Sequence, residues 1–155
     1  MARPRVPTDM AQALSPGQRQ SLEHFYNALG TRDVDLVDRA LTSDWEDIPL
    51  APGQTAGPEG VKPIFRMLIS AFPDLSTEIS EVLAEAGRAA ARVIVTGTHR
   101  GDLFGAPASG KFVSFALHEF HEFDGDRLRR TYHMEDLFGL FMQIGAWPKL
   151  NGESA

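Results

Sequence analysis

The stretch that decides the fold is residues 112–136, FVSFALHEFHEFDGDRLRRTYHMED. Asp124-Gly125 lies between two runs rich in β-branched and aromatic residues, which is a strong short-range hairpin signal. The spacing predicts one strand up to Phe123 and a returning strand through Asp136. On the return, Leu128, Arg130, Tyr132, Met134 and Asp136 share one face by alternation. Three of these are large and apolar or aromatic, so this face is expected to look inward. A turn with three central residues pairs Phe123 with Arg127 and sets 118 opposite 132. His118 then joins Tyr132 on the inner face, and a two-residue turn would reverse that assignment. In the first register His121 and His133 are expected on the other face, exposed or interfacial. Val113, Phe115 and Leu117 then form an outer stripe too apolar for open solvent, which predicts a homodimer.

Upstream, Thr77, Ile79, Glu81 and Leu83 alternate with polar or small neighbours, and Gly87 turns the chain into ARVIVTGTH (91–99). A glycine-rich loop, GDLFGAPASG (101–110), separates that run from the hairpin. The first half has a helical period instead. Ser15-Pro16 opens a helix with Leu22, Phe25, Tyr26 and Leu29 on one face, and Gly30 is its expected stop. Asp33 is the expected cap of a short second helix carrying Leu36, Val37, Ala40 and Leu41. DWEDIPLAPGQTAG (44–57) is dense in Pro and Gly and reads as a loop with an extended start at Trp45. Gly57-Pro58-Glu59 opens a third helix with Val61, Ile64, Phe65, Leu68 and Ile69, which ends before Pro73. Phe138 to Gln143 is expected to add a closing turn of helix. Helices followed by four meander-connected strands give an α+β class. The strands run ~10 residues against a usual mode of ~5–6. Long antiparallel strands curl, so three N-terminal helices across a curved sheet would enclose a pocket.

The chain has 155 residues, 43% hydrophobic and 23% charged, and no cysteine. That length suits one domain of ~150 residues, expected over 15–150 behind a flexible arm at 1–14. The missing cysteines exclude disulfide scaffolds, cysteine-based zinc sites and thiol catalysis. Fifteen basic against 21 acidic residues give a formal charge of −6. Without a basic run, neither nucleic acid nor an anionic membrane is the expected partner. No segment approaches the ~20 apolar residues of a spanning helix, and the first residues lack a signal-peptide apolar region. A cytoplasmic protein is expected. His118 and His121, three apart on a strand, point to opposite faces, so no metal is expected.

Several strings resemble one family in order and spacing: GPEG at 57–60, AFPD at 71–74, GTHRG at 97–101, GAPASGK at 105–111, FDGDRL at 123–128 and YHMEDLFGLFMQIG at 132–145. Together they resemble the SnoaL-like polyketide cyclases, or ester cyclases, of the nuclear transport factor 2-like superfamily. The resemblance implies a cystatin-like cone: helices packed on a curved antiparallel sheet around a pocket. It also implies an intramolecular aldol ring closure that needs no cofactor, on a polyketide-like or other apolar small molecule. It places an acid/base aspartate at Asp136 and pocket residues at Trp45 and Asp47. Tyr132 stands where the family has tryptophan. The pair Glu122 and Arg130 has its charges exchanged relative to the family's pattern.

Each candidate has a structural reading beside the functional one. Asp136, desolvated on an inward face, would keep its proton longer and serve as acid and base, or it caps the turn that follows. His118 assists in the pocket or is a core histidine satisfied by a carbonyl. His99 contacts substrate oxygen or ends its strand. Trp45 lines the pocket or packs the loop. Phe65 and Phe104 are lining or core. Arg130, facing inward, needs a partner, and Glu122 is the natural one. Two other functions stay open. One is an epoxide hydrolase using an Asp47–Arg130–Asp136 relay, or an isomerase with Tyr132 as donor. The other is a non-catalytic binding or dimerisation domain.

Overall fold

The computed structural model describes residues 13–147, so most of the expected arm, and residues 148–150 of the expected domain, lie outside it. Helix α1 spans Pro16–Gly30 and is closed at its start by a capping box. Ser15 Oγ accepts the Gln18 N–H and Gln18 Oε1 accepts the Ser15 N–H, both at 3.0 Å. Gly30 is the last helical residue and not the stop. A Cβ there would stand 2.4 Å from Thr77 Oγ1, so glycine lets α1 close onto the sheet. The expected second helix is reduced to a 3-10 turn, Val34–Leu36, and one α turn, α2, Val37–Ala40. Asp33 makes no side-chain cap.

Leu41 starts a strand instead. β1 covers Leu41–Ile48 and pairs in parallel with the last strand, so the extended start expected at Trp45 belongs to a full strand that begins within the expected second helix. Only Leu41 and Trp45 of β1 are fully buried, and an irregular register between 41 and 46 removes the period-2 signal. α3 follows at Pro58–Ala71, with Pro at its start. Lys62 on α3 is buried and held by Asp35, Asp38 and Glu59 at 2.6–3.2 Å, which ties α3 to the 3-10 turn and α2.

The other strands are β2 Ser76–Glu85, β3 Arg88–Thr98, β4 Phe112–Asp124 and β5 Arg127–Glu135. They form a curved, unclosed sheet in the order β1-β5-β4-β3-β2. α4, Leu137–Ile144, closes the fold, and Gly145 supplies its left-handed stop at φ 77°. The core lies between the concave face and the helices, among Leu22, Phe25, Phe65, Phe72, Val93 and Leu128. The α+β class and the helices packed on a curved sheet are as expected, but β1 comes before α3 and adds a parallel edge to a sheet expected to be antiparallel. Among the described residues no helix is long and apolar enough to cross a membrane.

The hairpin register differs from the expectation. Asp124 pairs with Arg127 and Phe123 with Leu128, so the turn has two central residues. Glu122 then pairs with Arg130, leaving Arg129 as an extra residue. This bulge turns every residue after it to the opposite face from the one that counting from Leu128 assigns. Leu128 and Thr131 both point into the core and are fully buried, while Tyr132 is 40% and Met134 72% exposed. The expected inner face of β5 is therefore the outer face beyond Leu128. His118, opposite Met134, is exposed with it. Val113, Phe115 and Leu117 are buried in the core and form no outer stripe.

Candidate active site

The concave face and the helices across it enclose a cavity of about 270 Å³, just under the ~300–1,000 Å³ usual for ligand pockets. Phe25 and Leu29 of α1, Val61, Phe65 and Leu68 of α3, Phe115 and Leu117 of β4 and Leu140 of α4 make its walls apolar. The Pro49–Pro52 loop and Phe104 form part of its rim.

Three carboxyl groups and an imidazole interrupt this apolar lining, Asp47 from β1, Glu119 from β4, and His133 and Glu135 from β5, and the Tyr26 phenol of α1 lies among them. Glu119 continues the inward row Val113, Phe115, Leu117, and His133 lies directly opposite it across the ladder. The sheet therefore brings a buried carboxyl and an imidazole side by side on one wall.

The charge of His133 follows from its partners. Nδ1 lies 2.6 Å from Glu135 Oε1, and Nε2 lies 2.7 Å from the Pro49 carbonyl oxygen and 3.4 Å from Asp47 Oδ1. Carbonyl and carboxylate oxygens accept, so both ring nitrogens donate and the ring is an imidazolium. Burial alone would lower its pKa. The hydrogen bond and charge of Glu135, the charge of Asp47 and the Pro49 carbonyl outweigh burial and raise it to about 9.

Glu119 is 6% exposed. Burial pushes its pKa up to about 7; the Tyr26 hydrogen bond opposes the rise, and the Glu135 and Asp47 charges add to it. A carboxyl poised near neutrality can both take and return a proton. Asp47 accepts from Gln54 Nε2 at 2.7 Å, and burial raises its pKa as well. His121, behind Glu119, is driven by burial to about 3 and stays neutral.

Of the residues singled out from the sequence, Asp47, Phe65 and Phe104 line this cavity. Trp45 is buried behind it and donates to Thr131 Oγ1 at 3.1 Å. His99 is fully buried against Phe72, and its Nδ1 accepts the Ser109 N–H; it is not among the lining residues. Arg130 lies outside, held by Glu46 at 2.9 Å and by Glu122 at 3.0 Å. The Glu122 partnership is as expected, but on the outer face. Tyr132 and His118 are also outside, because of the bulge. Asp136 is exposed and accepts the Gly139 N–H at 2.8 Å as the cap of α4. Asp47, Arg130 and Asp136 therefore do not converge into a relay. His121 and His133, expected on the outer face, lie on the inner one, His121 fully buried and His133 on the cavity wall, while Glu119, Glu135 and Tyr26 are site residues that the sequence reading does not single out. The signal for Glu119 and His121 was the inward row from Val113, which continues through both at period 2. Among the described residues no three His, Asp or Glu side chains are grouped as a metal would require.

The SnoaL-like polyketide cyclase family model matches residues 20–144, so the chain belongs to that family. TsrD from Streptomyces laurentii is 28% identical, covering 86% of this chain and 99% of its own, with a TM-score of 0.79. A candidate polyketide cyclase from Bacillus cereus is 22% identical over 96% of this chain and 95% of its own, with a TM-score of 0.78. IdmH from Streptomyces antibioticus, also described as a candidate polyketide cyclase, is 17% identical over 83% and 98%, with a TM-score of 0.73. At that identity the last two speak for the fold alone. No curated protein matches.

Proposed function

We propose that the protein is an acid/base cyclase that closes a ring in an uncharged, polyketide-like substrate by intramolecular aldol addition. The observation that supports this is the buried carboxyl of Glu119 set directly opposite the His133 imidazolium on the wall of an apolar cavity. Glu119 takes a proton from the carbon next to a substrate carbonyl. The electron pair moves onto the carbonyl oxygen as an enolate, beside the positive charge of His133. Both N–H groups of His133 are engaged, so it acts through its charge in a low-dielectric site. The enolate carbon attacks a second carbonyl carbon, a C–C bond forms, and the new alkoxide takes back the proton from Glu119. Atoms and charge balance without a further reactant. The apolar walls fold the chain onto itself, and such proximity lowers barriers by several kcal/mol. Three carboxyl groups against one imidazolium repel a carboxylated ligand, which favours an ester or ketone.

The test is turnover of a panel of synthetic diketo methyl esters by wild type and Glu119→Gln, with a binding measurement for each. Loss of a positioned acid/base costs ~10²–10⁴-fold in turnover, with binding retained. Equal turnover would remove Glu119 from the reaction. Binding by wild type without turnover of any member would favour a non-catalytic binding domain.

A further inference from the structure

Behind Glu119 a line of polar side chains runs through the core, contributed by four elements. Tyr26 Oη on α1 hydrogen-bonds Glu119 Oε2 and lies 2.8 Å from His121 Nε2 on β4. His121 Nδ1 lies 2.9 Å from Thr131 Oγ1 on β5. Trp45 Nε1 on β1 lies 3.1 Å from the same oxygen. All four side chains are essentially inaccessible to solvent.

The chemistry of each group fixes which way the protons point. An indole N–H only donates, so Thr131 Oγ1 accepts from Trp45. If the hydroxyl also accepted from His121, its own proton would be buried without a partner, a costly state. Thr131 therefore donates to His121 Nδ1. The neutral ring then carries its proton on Nε2 and donates it to Tyr26 Oη. Tyr26 in turn donates to Glu119 Oε2, a bond that an ionised carboxylate accepts more strongly than a protonated carboxyl. Every donor is used once, and every hydrogen bond points towards the cavity.

We propose that Trp45, Thr131, His121 and Tyr26 form a one-way hydrogen-bond chain that holds Glu119 as the ionised proton acceptor of the cavity. They are positioning residues, and the proposal rests on the reading of Glu119 as the acid/base. The chain occupies Oε2 and leaves Oε1 for the substrate. The ionisable groups around Glu119 are Tyr26 from α1, Asp47 from β1, His121 on its own strand, and His133 and Glu135 from β5. The cavity-lining residues of α3 and α4 are apolar. Burial, Glu135 and Asp47 favour the protonated carboxyl, so Tyr26 and the chain behind it act on the ionised side together with His133.

Infrared titration tests this without a substrate. The carboxyl band of Glu119 is identified by its loss in Glu119→Gln and followed with pH. In Tyr26→Phe the midpoint is expected to move up by about one pH unit. In Thr131→Val, which leaves Tyr26 in place but removes the hydroxyl that orders it, a smaller upward move is expected, and Thr131→Ser is expected to restore the wild-type midpoint. Wild-type midpoints in folded Tyr26→Phe and Thr131→Val would overturn the chain. If Tyr26→Phe fails to fold, the Thr131→Val and Thr131→Ser pair decides alone. The two readings separate. Unmoved midpoints with Glu119→Gln inactive would remove the chain and keep the catalytic carboxyl. Moved midpoints with Glu119→Gln fully active would keep the chain and remove that role.

Discussion

His133 carries a positive charge because both of its ring nitrogens face groups that only accept. This makes two pH-dependent outcomes. Its folded pKa, about 9, lies above the ordinary value of 6.5. Its charge therefore stabilises the fold fully below about pH 6.5, and that contribution is lost as pH rises through about 9. In denaturant melts, His133→Gln is expected to be least stable relative to wild type near pH 6, with the gap closing by pH 10. A gap independent of pH would remove the imidazolium from the stability of this wall. Under the proposed mechanism the second outcome is kinetic. Glu119 must be ionised, with its pKa near about 7, and His133 protonated, with its pKa near about 9. A bell-shaped profile of kcat/KM between those limits is expected, its two limbs belonging to the coupled pair. A flat profile through pH 7 would argue against a titrating carboxyl.

At the scale of elements, the single extra residue Arg129 separates what the sequence makes legible from what it hides. α1, α3, the long strands and the existence of the hairpin follow from the Ser15 cap, the prolines that open the helices, the periods and the Asp124-Gly125 turn, which are local. A bulge has no such signature, yet it sets the face of every residue behind it. Alternation counted from Leu128 carried Tyr132, Met134 and Asp136 inward, and His133 outward. β1 was hidden for a related reason: a polar strand with an irregular register, paired with a segment some 85 residues away, carries no period of its own. The end of β5 has a consequence that can be measured. Asp136 caps α4 through the Gly139 N–H, and a Cβ on residue 139 would meet the Asp136 carboxylate at 2.2 Å. Asp136→Ala is expected to cost about 1 kcal/mol of stability, whereas Asp136→Asn keeps the cap and costs little. Chemical denaturation of the two variants checks this. An equal loss in both would mean that the charge, and not the cap, is what Asp136 contributes.

For the whole molecule, turning the sheet over moves the apolar surface without removing it. The buried stripe Val113, Phe115 and Leu117 cannot meet a partner, but the convex face carries its own. Leu83, Ala90, Phe120 and Tyr132 are successive Cα partners across β2, β3, β4 and β5, so they form one row over four strands. Leu83 is 62% and Phe120 64% exposed, and Met134 extends the patch on β5. Beside the row the charges are paired, Arg130 with Glu46 and Glu122 and Arg92 with Glu81, so both signs are interspersed there. We propose that a second copy covers this face about a two-fold axis, which pairs the same patch with itself. A stable contact of that kind needs ~1,200–2,000 Å² in all, an area that a four-strand face can supply. Sedimentation at micromolar concentration is expected to show a dimer for wild type and a monomer for Phe120→Glu. Phe120 faces away from Glu119 and the cavity, so far-ultraviolet circular dichroism and ligand binding should stay unchanged in that variant. A monomeric wild type, or a Phe120→Glu variant that stays dimeric, would show that this row is not the surface through which the chain assembles.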